Sequence, residues 1–208
     1  MMKIKFYSLW ISLFIIIVFL IQNILSGFTD LFLLNEKAIS NFEMWRFLTA
    51  IFLHGSLTHL LFNLFALLFF GISLENLIGS KKFLVVFLSS GIIANMVSIN
   101  FYNSSLGASG AIYGIIGAIT ILKPLMMVYT LGLIMPMFIA TIIYITADVL
   151  RIFGAFDSNV GSIAHLSGIF IGFLAGVYLR LNANKLDKKL KIKIDEDYMN
   201  SWEDRFIK

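Results

Sequence analysis

The chain has 208 residues, 59% of them hydrophobic and 13% charged, with a net charge of +4 and a mean hydropathy of +0.91. Soluble domains run at about 45–50% apolar and about 25% charged, and one core of this size cannot hide the excess, so a soluble globular domain is excluded, as are disorder, collagen and coiled coil. No cysteine is present, which removes disulfides, thiolate metal sites and a cysteine nucleophile.

The composition is that of an all-α polytopic membrane protein, and its spans can be taken in order. A spanning helix needs about 20 apolar residues. Tyr7 to Leu25 is the first such run, and it is too long and lacks a small-residue cleavage site, so it is expected to be a retained span and not a signal peptide. Ser26 to Phe52 is more polar, with Asp30, Glu36, Lys37, Glu43 and the pair Trp45-Arg46, and predicts an interfacial loop with short helices. The further spans are expected at 57–77, 82–101, 109–122 (a short one), 136–150 and 163–179. The stretch Pro124 to Pro136 is apolar but broken by proline. Residues 180–208 read as a charged, solvated segment on the cytoplasmic side.

Charge placement fixes the expected orientation. Six spans leave both ends on one side. With that side inside, the inner segments hold Lys3, Lys5, Lys81, Lys82, Lys123 and the Lys-rich segment after Arg180, and the outer ones hold Lys37, Arg46 and Arg151. This is the asymmetry of a cell-membrane protein with cytoplasmic termini. Splitting Leu125 to Leu150 into two spans would put the Lys-rich segment outside, so a seventh span is rejected. The basic residues flank apolar runs and form no stripe interleaved with aromatics, which argues against a nucleic-acid partner.

Polar side chains at membrane depth are costly and mark function. His59 and Asn63 stand four apart on the second span and so share a face. Ser109 opens the fourth span, where free backbone N–H groups and the helix dipole favour a developing anion. His165 lies near the start of the sixth. At 1.5 Å per residue, Ser109 lies about 21 Å, His165 about 22 Å and Asn63 about 24 Å from the inner surface. Against a hydrocarbon core of about 30 Å, all three stop roughly 6–9 Å short of the outer face. Small residues at spacings of four mark close helix approach: Gly110, Gly114 and Ala118 on the fourth span, Ala164, Gly168, Gly172 and Gly176 on the sixth.

These residues resemble, in order and on the right spans, the motifs of the rhomboid intramembrane serine proteases. The motifs are Trp45-Arg46, His59-x-x-x-Asn63, Glu75-x-x-x-Gly79, Gly107-x-Ser109-Gly110 with Tyr113 one turn on, and Ala164-His165-x-x-Gly168. The resemblance implies a six-helix bundle of the compact prokaryotic form, with an interfacial first loop and a short central fourth helix. It implies Ser109 as nucleophile and His165 as general base, a dyad without a carboxylate partner; no acid lies near His165 in the sequence, Asp148 and Asp157 falling at the far end of the fifth span and in the loop after it. The oxyanion hole would be the Ser109 N–H with Asn63 and His59. Tyr113 would pack on the His165 ring, and Gly110, Gly168 and Gly107 would support the dyad. Trp45, Arg46, Glu75 and Gly79 would be structural, with Arg46 on loop carbonyls and Glu75 near Lys81. His54 would line an outer water cavity. The substrates would be single-pass membrane proteins met in the lipid bilayer, and no cofactor or metal is needed. Two other readings compete: a non-proteolytic binding protein on the same scaffold, and a three-histidine metal site built on His54, His59 and His165.

Overall fold

In the computed structural model the backbone is described for residues 5–155 and 161–206, and side chains as far as residue 183 and at Glu196. Lys3 and Asp157, used above, lie outside the described residues. Helix α1 spans Tyr7–Ile24. The first loop then folds as α2 (Phe28–Phe32), strand β1 (Leu34–Asn35), α3 (Lys37–Ser40), α4 (Arg46–Thr49) and a 3-10 turn over Ala50–Phe52, the short helices expected there. The second apolar run is α5 (Leu57–Ala66), a single π-helical turn over Leu67–Gly71, and α6 (Ile72–Ile78). Gly79 separates it from α7 (Ser80–Ser98) at φ +83°, a left-handed backbone that a side chain would strain. Strand β2 (Ser104–Ser105) precedes α8 (Ser109–Leu122), and α9 (Met137–Ile152) and α10 (Ser162–Phe206) complete the order.

Among the described residues, four helical segments are long and apolar enough to cross a membrane: Tyr7–Ile24, Leu57–Ile78, Ser80–Ser98 and Ser162–Ala183. The other two of the expected six, α8 and α9, are shorter at 14 and 16 residues. For α8 the shortness has a packing reason. Nine of its 14 residues are buried, packed against α7, α9 and α10, as a central helix of the bundle requires. Large apolar residues such as Trp10, Leu20, Phe62 and Phe170 are exposed on the outer helices, as lipid-facing positions require. The core lies around Ile15, Leu67, Leu74, Phe83, Phe87, Ile115 and Ile119.

Three features depart from the expectation. The proline-bounded stretch forms a hairpin, β3 (Met127–Thr130) with β4 (Leu133–Pro136), closed by Leu131 and Gly132, both at positive φ, which is the backbone of a two-residue hairpin turn. A second small ladder joins β1 to β2 and ties the first loop to the segment before α8. The last helix runs unbroken past residue 180 to Phe206.

Two expected structural residues act through backbone. Arg46, buried, donates Nη1 to the carbonyls of Asp30 and Leu33 at 2.8 and 2.7 Å, and its Nε meets Glu43. It therefore closes the first loop on itself, while Trp45 stands half exposed beside it. Glu75 works differently from the expectation. Its carboxylate accepts the N–H groups of Tyr7 and Ser8 at 2.7 and 2.9 Å and the Ser8 hydroxyl at 2.7 Å. These are orphan donors of the first turn of α1, and a carboxylate there also suits the helix dipole. The partner of Glu75 is thus the start of α1, and among the described residues it makes no ion pair with Lys81.

Candidate active site

The segment entering α8 is set by two contacts. The Gly107 N–H donates to the Ala50 carbonyl at 2.9 Å. Gly107 itself has φ +125°, and a Cβ there would stand 2.7 Å from Cε1 and 2.9 Å from Nε2 of His59, so only glycine lets the imidazole lie against this backbone. Two residues on, Ser109 opens the helix half-buried, with Ala108 capping it by backbone alone. The N–H groups of the first turn therefore have no partner within the helix.

Small residues bring α8 and α10 together. A Cβ on Gly168 would lie 2.0 Å from the Gly110 carbonyl oxygen, and one on Gly172 would lie 2.0 Å from that of Gly114. The two backbones are in direct contact there, closer than the usual 8–10 Å between helix axes permits for larger side chains. A Cβ on Gly110 would lie 3.6 Å from the Ala164 carbonyl oxygen. The chain neighbours of Ser109 and His165 thus face each other across the seam.

His165 is buried, at 6% exposure, and its ring is held from two directions. Tyr113, four residues after Ser109 on the same helix, stacks on it with centroids 4.0 Å apart and planes at 17°. At the ring edge, Nδ1 meets the Asp148 carboxylate, 3.1 Å from Oδ2 and 3.3 Å from Oδ1. Asp148 is fully buried and also accepts from Ser162 Oγ at 2.9 Å and Arg151 Nη1 at 3.0 Å.

This corrects the expectation of a histidine with no acid beside it. Seventeen residues separate Asp148 from His165 in the chain, but α9 returns to the start of α10 and brings them together. Two signals pointed to Asp148: it is the lone carboxylate in the apolar run of α9, and Arg151 follows three residues later, on the same face.

Asn63 is buried, and its Nδ2 donates to the His59 carbonyl at 2.9 Å, one turn back. The His59 ring lies between Gly107 and the ring of His54, whose centroid is 5.0 Å away. His54 is buried, neither of its ring nitrogens has a hydrogen-bond partner among the described residues, and Gln22 grips its backbone at both N–H and carbonyl. Burial pushes His54 down to about 4, with the neighbouring His59 adding to the effect. Beside it a cavity of about 470 Å³ opens at the end of α1, lined by Gln22, Asn23, Thr29, His54 and Ser56. Among the described residues, no group of three or more His, Asp or Glu is disposed to hold a metal ion.

Residues 41–182 match the family model described as the rhomboid domain. Rhomboid-like protease 3 of Toxoplasma gondii is 33% identical over 195 residues, covering 85% of this chain and 68% of its own. Rhomboid protease GluP of Bacillus subtilis is 34% identical over 199 residues, covering 90% of this chain but 38% of its own. The putative rhomboid protease YdcA of the same bacterium is 36% identical over 139 residues, covering 65% of this chain and 67% of its own.

Proposed function

The chain belongs to the rhomboid family, and from that premise we propose that it is an intramembrane serine endopeptidase, a hydrolase that cleaves transmembrane segments of other membrane proteins. The observation that carries the reading is the stack of Tyr113 on His165, with Ser109 one turn before Tyr113 on the same helix. The glycine seam between α8 and α10 supports the pairing of that serine with that imidazole.

In this mechanism Ser109 Oγ attacks the scissile carbonyl carbon while His165 Nε2 takes the hydroxyl proton. The charge that develops on the carbonyl oxygen is met by the Ser109 N–H at the start of α8, with the side chains of Asn63 and His59 as further donors. His165 then returns the proton to the leaving amine, and water hydrolyses the acyl-enzyme by the same steps in reverse order. Water for the second half of the reaction would enter through the cavity beside His54, whose wall includes Gln22, Asn23 and Thr29; the His54 ring lies 5.0 Å from that of His59. No metal or cofactor takes part.

The wider setting is proposed with it. Six helices, α8 and α9 included, cross the cell membrane, both ends of the chain are cytoplasmic, and the site opens toward the outer face. The excess of Lys and Arg in the inner segments supports this orientation. Residues 1–179 form the membrane domain and residues 180–208 a charged segment beyond it. The substrates are single-pass proteins reached through the bilayer.

The test is a fluorophosphonate probe on the purified protein, read together with cleavage of a transmembrane peptide. Labelling that disappears in Ser109→Ala, with cleavage lost in parallel, is the expected result. A protein that is folded but neither labelled nor active would be a binding protein on this scaffold.

A further inference from the structure

The two contacts on His165 do different jobs. Tyr113 touches the face of the ring, at 4.0 Å and 17°. A face contact fixes the plane of an imidazole but leaves it free to rotate within that plane, and it does not decide which nitrogen carries the proton. Asp148 touches the edge, at Nδ1. An in-plane hydrogen bond at one nitrogen fixes both the rotation and the tautomer.

The carboxylate is divided between its partners. Oδ1 receives Ser162 Oγ and Arg151 Nη1 and lies 3.3 Å from His165 Nδ1, whereas Oδ2, at 3.1 Å, has His165 as its partner among the described residues. Oδ1 alone meets Arg151 and, through Ser162, ties α9 to α10; the donor that the second buried oxygen requires comes from the edge of the His165 ring. Full burial of Asp148 leaves no solvent to take that place.

We propose that Asp148 is a positioning residue for the reaction: its carboxylate accepts the Nδ1–H of His165, holds Nε2 unprotonated toward Ser109, and stabilises the imidazolium formed when that nitrogen takes the serine proton. The role rests on the reading of Ser109 and His165 as nucleophile and base. The proton balance is complete without a further reactant. The Ser109 hydroxyl proton moves to Nε2 as the Oγ–C bond forms, then passes to the leaving amine as the C–N bond breaks. The Nδ1 proton stays on His165 throughout, so Asp148 remains ionised. Asp148 never touches substrate. It acts through His165, from a helix different from both that of the serine and that of the histidine.

The experiment combines kinetics with a direct reading of the tautomer. With only three histidines in the chain, ¹⁵N-histidine NMR of the full protein is tractable, and His165→Ala assigns the signal. In the native protein His165 is expected with its proton on Nδ1. Asp148→Asn should lower kcat by about 10²–10⁴-fold, with KM held within about threefold, and slow fluorophosphonate labelling of Ser109 in proportion. A purely structural loss would lower the folded fraction and leave the kcat of the remaining enzyme and the tautomer unmoved. Asp148→Asn turning over at the native kcat would overturn the proposal. So would a native His165 protonated on Nε2, a result that needs no variant to fold. A native protein that is labelled at Ser109, together with an equally labelled Asp148→Asn, removes only the role of Asp148. A native protein that is never labelled removes the protease reading instead.

Discussion

Gly168→Val tests whether helix approach, and not any reacting group, sets the rate. A Cβ at residue 168 would stand 2.0 Å from the Gly110 carbonyl oxygen and 2.9 Å from its carbon, both of them backbone atoms. To restore ordinary van der Waals contact the two helices must part by about 1.4 Å at that level. Gly168 lies about 4.5 Å along the axis from His165, and a misplacement near 1 Å can cost on the order of a hundredfold in rate. Gly168→Val should therefore lose a hundredfold or more in kcat by that scaling, although Ser109 and His165 are untouched. At Gly176 the nearest atoms to an added Cβ are Ile121 Cβ at 2.8 Å and the Ala118 carbonyl oxygen at 3.0 Å. That overlap is less than half as deep, and it lies about 16 Å along the axis from His165, so Gly176→Val should lose no more than about tenfold. Gly172→Val meets the Gly114 carbonyl at 2.0 Å one turn deeper and should match Gly168→Val in lost stability while losing less activity. The assay is turnover of a quenched transmembrane peptide in proteoliposomes, normalised to the folded fraction from thermal melts. Equal and mild losses at residues 168 and 176 would refute the reasoning.

Ser109→Ala and His165→Ala should each abolish peptide cleavage, and the double variant should be no worse than either, because the two act as a unit; residual native-level turnover in Ser109→Ala would remove it as nucleophile. EDTA should leave turnover unchanged, and activity lost to chelator and restored by zinc would favour the three-histidine site. Glu75→Ala strands the Tyr7 and Ser8 N–H groups and should lower stability by about 2–4 kcal/mol in chemical or thermal unfolding, whereas Lys81→Ala should leave it unchanged. His54, held down to about 4 in the folded protein, takes up a proton more readily once the chain unfolds. Stability should therefore be intact above about pH 6.5 and fall as the pH drops from there toward 4, by at most about 1.4 kcal/mol per pH unit. A melting temperature whose slope between pH 7 and 5 is the same in His54→Phe would contradict it.

What could be read from the chain alone was what lies within one helix or between marked surfaces. The bounds 109–122 coincide with α8, and those at 57–77 and 136–150 fall within one or two residues of the observed helices, because apolar runs and their interruptions set helix ends directly. Tyr113 on His165 was implied by the family resemblance and not by any spacing within α8. The approach of α8 to α10 was legible from glycines that have no other reason to recur every four residues. Arg46 was legible as a cation among loop carbonyls. The partner of Glu75 was not, since a charge three or more residues from a lysine suggests an ion pair, and the first turn of α1 lies 67 positions away. The hairpin over 127–136 was hidden because an apolar run between prolines has no period that separates strand from helix.

Asp148 was missed for a more general reason. Helix α9 carries no glycine, so nothing in its sequence marks where it approaches α10, and a loop with no pattern of its own lies between them. The cost of burying a carboxylate in an apolar helix was itself the signal. A fully buried, ionised Asp needs donors on both oxygens, and only three kinds of group near it could supply them: Arg151 on its own helix, a hydroxyl, or an imidazole. Arg151, at a spacing of three and partly exposed, serves one oxygen. The other then needs a donor from another helix. A histidine at a matching depth on the next helix is a natural candidate, and His165 supplies it. Read in that direction, from the unsatisfied oxygen to its donor, the pairing follows from desolvation and depth. Distance along the chain, which had argued against it, says nothing about two helices that are antiparallel neighbours.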